Sequence, residues 1–206
     1  MQLNMTGLYT KLYAITDHTP CDVDTPKRFG AYILDWVVGG IFTGLPAVLL
    51  YSGLTKKQDM FGGLYVFARS WAFLAGALCI LFALFYYVYV PWRIWPGQTL
   101  GKRVAGYRME KTNGTAVDLI TLLKRQVIGG FLLEGAAFVA SNYIRQLVTL
   151  SLSYYVDYYW QIAGMILTAL SLILVMKTDS HRALHDYLAK TRVTCVEKQK
   201  NEHSSI

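Results

Sequence analysis

Four long apolar runs interrupt the chain, at residues 29–51, 66–90, 120–140 and 158–176. Each reaches or approaches the roughly 20 residues an α-helix needs to cross a bilayer core at about 1.5 Å per residue. The second and fourth are the most uniformly apolar. The third contains Arg125 and Glu134 and therefore also fits an amphipathic helix lying along the interface. The pattern predicts an all-α membrane protein: a four-helix transmembrane bundle with a small cytoplasmic hairpin or loop element.

Between the runs the polar segments divide the chain further. Residues 1–27 form a lead in which Leu3, Leu8, Leu12 and Ile15 make one apolar stripe before Pro20 and Pro26. It is expected as an interfacial helix or as a partly ordered tail. A membrane domain follows over 28–194, and 195–206 reads as a polar tail. Within the long connection 91–117, Asn113-Gly114 offers a turn between 104–109 and 115–117. Residues 179–188 read as a capped short helix, and 191–196 as a strand. No internal repeat is visible. The first thirty residues lack a basic start followed by an apolar core, so the first crossing is expected to act as its own insertion signal.

Composition fits this class: 54% hydrophobic and 16% charged, yet with a net charge of +7. Such a surplus raises the question of nucleic acid, but its distribution argues for a membrane instead. Sixteen of the twenty Lys and Arg residues fall in the segments placed inside if the amino terminus is cytoplasmic; only Lys56, Lys57, Arg69 and Arg145 fall outside. This positive-inside asymmetry predicts a multi-pass plasma-membrane protein with both termini cytoplasmic. Tyr86, Tyr87, Tyr89, Trp92 and Trp95 mark one headgroup level, and Tyr154, Tyr155, Tyr158, Tyr159 and Trp160 the other. Cys21, Cys79 and Cys195 show no paired spacing, so neither disulfide nor metal cluster is expected.

Ionisable groups in hydrocarbon require partners or a role. Asp35 lies two helical turns after Arg28, on the same face, and is expected to pair with Arg28 or with Arg125 at a comparable depth. Arg125 in turn shares a face with Asp118. Both a structural ion pair and transport chemistry fit this cluster. Glu134, placed in the outer half of the third run, suits either a proton or cation carrier or a group facing an aqueous vestibule. Gly97-Gln-Thr-Leu-Gly101-Lys102-Arg103 has the wrong spacing for a phosphate loop and no Ser or Thr after its lysine. It reads as a juxtamembrane turn whose Lys102 and Arg103 meet anionic headgroups. His181 and His185 share a helical face without a third ligand, so no metal or other cofactor is assigned. Small-residue pairs at Gly40 and Gly44, Ala136 and Ala140, and Gly164 and Thr168 fit close helix contacts in a compact bundle or a homodimer.

Taken together, Arg28-Phe-Gly-Ala-Tyr-Ile-Leu-Asp35, the Gly97–Arg103 segment followed by Arg125, and Arg182-Ala-Leu-His185-Asp186-Tyr-Leu-Ala189 resemble the RDD family of small bacterial membrane proteins. The resemblance implies a compact helical bundle with the family residues gathered near the cytoplasmic face. It adds Asp186 to Arg28 and Asp35 as principal positions, with Arg182 and His185 beside them. It also implies, for some members, exchange of a monovalent cation or small solute against protons. The alternative is a non-catalytic accessory or regulatory subunit of a larger membrane complex. No nucleophile and base at usable spacing supports an enzyme.

Overall fold

The computed structural model describes residues 21, 23–57, 62–135 and 138–196; the apolar stripe of the lead, and Ala136, lie outside them. Three helices are long and apolar enough to cross a membrane. The first is α1 (Thr25–Thr55), begun by Pro26 in its first turn, where a missing backbone N–H costs nothing. The second is α2 (Arg69–Leu84), which widens into a π-helical segment, π1 (Phe85–Ile94). The third is α6 (Asp157–Lys177). The first and third extend beyond the predicted runs at both ends, while the second begins at Arg69, inside its run, and continues past it to Ile94.

These helices turn small and polar residues inward. The buried seam of α1 is Ala31, Asp35, Gly39, Thr43, Pro46 and Ala47, while Ile41 and Leu49 are exposed. The same inversion on α2 buries Ala72, Ala75, Gly76 and Cys79 and exposes Leu81. When the surrounding medium is hydrocarbon, large side chains gain little from burial, and close backbone approach holds the helices together. Gly40 and Gly44 face Val139 and Tyr143 of the same chain, so this pair is used within the fold.

The run at 120–140 is not one helix. A short α4 (Leu119–Leu122) passes into a second π-helical segment, π2 (Leu123–Leu133). The backbone then leaves helical geometry at Glu134 and resumes as α5 (Val139–Leu152). A break exposes carbonyls that lipid cannot satisfy. Side chains supply the donors: Ser141 Oγ to Phe131 O, Trp160 Nε1 to Leu132 O at 2.9 Å, Thr168 Oγ1 to Glu134 O at 3.2 Å and Arg145 Nη1 to Gly135 O at 3.4 Å. Arg145, assigned to an outer loop by charge pattern, is buried on α5 and paired with Asp157 at 2.6 Å.

At the other end, α3 (Leu100–Val104), β1 (Tyr107–Lys111), α7 (Leu184–Ala189) and β2 (Thr191–Cys195) form a polar cap. The turn at Asn113-Gly114 is present, with Gly114 at φ +80°. The strand it follows pairs elsewhere, however: β1 runs antiparallel to β2, Tyr107 opposite Cys195 and Lys111 opposite Thr191. Across the turn itself there is a single bridge, Glu110 with Ala116, beside the Lys111 N–H donated to the Thr115 carbonyl at 2.9 Å. Cys195 therefore belongs to a strand and not to the tail. The sheet and its neighbours bury Val23, Ala31, Val88, Met109, Leu122 and Val193 in one cluster, which ties the cap to α1 and both π segments.

Candidate functional site

Asp35 sits at the junction of α1 and the cap and is buried. Its Oδ1 accepts from the Tyr86 hydroxyl and the Gly101 backbone N–H, both at 2.8 Å. Its Oδ2 accepts from Thr99 Oγ1 at 2.5 Å and from Lys102 Nζ at 3.1 Å. Tyr87 donates to the Asp35 carbonyl at 2.9 Å. The expected pairing with Arg28 or Arg125 is thus incorrect; the cation is Lys102. Its side chain is mostly buried, so only Arg103 of that basic pair remains exposed, stacked over Trp95 at 4.8 Å.

The Gly97–Arg103 segment is built to reach this carboxylate. Gly97 adopts φ +74°, and a side chain there would strike the Met109 carbonyl. A Cβ on Gly101 would overlap the Ala31 carbonyl and approach the Asp35 carboxyl carbon at 2.8 Å. The two glycines bring a backbone N–H, a hydroxyl and an ammonium onto one anion, as a phosphate cradle does, but the anion is the protein's own. Burial pulls the Lys102 ammonium below its ordinary pKa, against the opposing pull of Asp35.

A second network lies beside the first. Asp186, fully buried on α7, receives Arg125 Nε at 2.9 Å and Thr191 Oγ1 at 2.9 Å, with Arg28 Nη2 at 3.6 Å. Its other oxygen accepts the Ala183 N–H at 3.3 Å, closing the first turn of α7. Burial alone would raise the Asp186 carboxyl, but the guanidinium groups of Arg125 and Arg28 hold it well below the usual carboxylate range. Arg182 donates to the Thr191 and Asp186 carbonyls at 2.9 and 3.1 Å and lies over the Tyr187 ring.

His185 links this pair to Glu134. Its Nδ1 is 2.8 Å from Glu134 Oε2 and its backbone N–H donates to Oε1 at 2.8 Å, where Ser171 Oγ also donates at 3.0 Å. Its Nε2 is 3.1 Å from Arg125 Nη2 and 3.7 Å from Asp186 Oδ2. An arginine can only donate, so as the partner of Arg125 the Nε2 atom accepts, which puts a ring proton on Nδ1, toward Glu134. Four cations (Lys102, Arg28, Arg125 and Arg182) thus stand among three carboxylates (Asp35, Asp186 and Glu134): Lys102 pairs with Asp35, Arg28 and Arg125 both pair with Asp186, and Glu134 meets His185.

Other expected positions resolve differently. Glu134 is buried and joined to the cap, so the outer vestibule does not apply. Asp118 is exposed and apart from Arg125. It caps α4 through the Thr121 N–H at 2.8 Å and pairs with Lys111 at 2.8 Å; the hydrogen bonds from Lys111 and Thr121 keep its carboxyl well below its ordinary pKa. His181 precedes α7, at φ 47°, and turns to the Val175 carbonyl, so it does not share a helical face with His185. Thr99, Gly101, Tyr86, Ser171 and Thr191 were missed as site residues. Only the Gly97–Arg103 stretch, which holds Thr99 and Gly101, carried a signal, its two glycines.

The RDD family model matches residues 24–190. A curated relative, the uncharacterized protein YckC of Bacillus subtilis (strain 168), is 29% identical over 170 residues, covering 81% of this chain and 80% of its own length. No solved structure matches. With Arg28, Asp35, Arg125 and Asp186 gathered at one end of a set of apolar helices, and the family model spanning that whole region, the chain belongs to the RDD family of membrane proteins.

Proposed function

We propose that this protein exchanges a monovalent cation for protons at Glu134, His185 and Asp186, and not at Asp35. The observation that carries the reading is the position of His185 between two buried carboxylates, 2.8 and 3.7 Å away, beside a broken helix. Broken helices inside membranes are a recurrent setting for ion sites. With the imidazole neutral, Glu134 retains a negative charge to which a cation is drawn. A proton on Nε2 turns that atom from acceptor to donor, repels Arg125 and directs it toward Asp186 Oδ2. Glu134 is then neutralised by its neighbour and the cation is released. The positive-inside distribution supports placing the polar cap in the cytoplasm.

Reconstitution into proteoliposomes, with an imposed pH gradient and a sodium or potassium pulse, tests this. Glu134→Gln and His185→Ala are expected to abolish flux; flux unchanged in Glu134→Gln removes the site from the mechanism. A second reading, an accessory membrane subunit, is favoured by the saturation of Asp35, which with four donors acts as a latch for the cap. A stoichiometric partner captured from native membranes, with no flux in liposomes, would decide for it.

A further inference from the structure

A groove of about 690 Å³ runs along the outside of the helices on the face of α2 and π1. Its deep end is formed by Phe42, Leu81 and Phe82, and its other end by Trp92 with Leu119 and Leu123. The distance from Leu81 to Trp92 along a helical axis is roughly 16 Å. The groove's volume lies within the range of about 300–1,000 Å³ that holds small molecules.

The chemistry of the two ends differs. At the deep end Leu81 is 59% exposed, and the walls between are apolar side chains such as Phe85 and Val88. At the other, Arg93 lies 4.3 Å over the ring of Trp92, itself a wall of the groove. Arg93 is exposed and has no carboxylate partner among the described residues. Lys124, next in sequence to the groove residue Leu123, is also exposed and also without one. The nearest acid in sequence, Asp118, is engaged by Lys111. The mouth is therefore positive, at the level where aromatic and basic side chains meet phosphate, and among the described residues offers no free carboxylate to an ammonium headgroup.

We propose that this groove is a specific site for one anionic glycerophospholipid, its acyl chains lying along π1 and its phosphate held by Arg93. The site is separate from the polar network and does not depend on the transport reading.

Native mass spectrometry of the purified full chain in mild detergent, titrated with phosphatidylglycerol and with phosphatidylcholine of the same acyl chains, tests the proposal. One phosphatidylglycerol is expected to be retained at least tenfold better than phosphatidylcholine. Arg93→Gln should bring the two lipids to equal retention. Leu123→Trp, which fills the groove near its mouth, should remove retention of both. Leu81→Trp at the exposed deep end is a second filling variant should Leu123→Trp not fold. Equal retention of the two lipids by the unaltered chain would reduce the groove to ordinary annular contact and overturn the proposal. So would undiminished retention in a correctly folded filling variant.

Discussion

Replacing Asp186 by Asn removes the one anion shared by Arg125 and Arg28 while preserving shape. Arg125 has a side chain only 4% exposed, and its bond to Asp186 measures 2.9 Å. Left without that carboxylate, it is a buried cation facing Met109 and an imidazole. Breaking one side of a buried pair costs about 3–5 kcal/mol, because the remaining charge stays desolvated. For a chain of this length, that is a fall of roughly 6–20 °C in midpoint temperature. Cys79 provides the readout. It is fully buried among α1, α2 and α5, and with Cys21 and Cys195 changed to Ser it is the chain's sole thiol. A thiol-reactive fluorophore then reports unfolding in detergent as temperature rises. The double variant Arg125→Gln/Asp186→Asn should recover a large part of the loss, since both charges are gone. A midpoint for Asp186→Asn within 2 °C of the parent, or strictly additive single and double variants, would refute the claim that this pair holds the cap to the bundle.

Further outcomes follow from the same geometry. Asp186 is held below its ordinary pKa, so the folded chain binds fewer protons there than the unfolded chain. Its contribution is complete above about pH 4 and is lost as pH falls through the lowered folded value; thermal unfolding followed by intrinsic tryptophan fluorescence from pH 7 downward should show a decline of the midpoint that Asp186→Asn lacks. Gly101→Ala should cost about 1–3 kcal/mol, because its Cβ has no space beside Ala31 and Asp35. Gly114→Ala, at φ +80° in open space, should cost about 1–2 kcal/mol from backbone conformation alone. Only the first of these two variants should expose the cap to limited proteolysis. Arg145→Ala leaves Asp157 unpaired and the Gly135 carbonyl without its donor; it should lower the midpoint by several degrees while leaving the cap's protease resistance unchanged.

Local composition alone determined the chemical class of this protein. A run of twenty apolar residues has few fates, and the bounds of three crossings could be set to within a few residues because hydrocarbon thickness fixes helix length. The ionisable residues that matter were visible for the same reason, since each stood where a charge is costly. Their partners were not legible. Arg28 shares a face with Asp35, yet its guanidinium reaches Asp186 on a helix more than 150 residues later in sequence. Asp35 was matched to Arg28 or Arg125, and Lys102 to lipid headgroups; the fit of Gly97 and Gly101 against β1 and α1 brings Lys102 to Asp35 instead. Asn113-Gly114 specified a turn, because turn chemistry is local, but the partner of β1 came from the far end of the chain. The break at Glu134 was hidden as well. An apolar run does not reveal that Ser141, Trp160, Thr168 and Arg145 will be present to receive its freed carbonyls. Sequence set which groups had to be satisfied, and the tertiary arrangement decided by which partners, because satisfaction is a property of space and not of spacing.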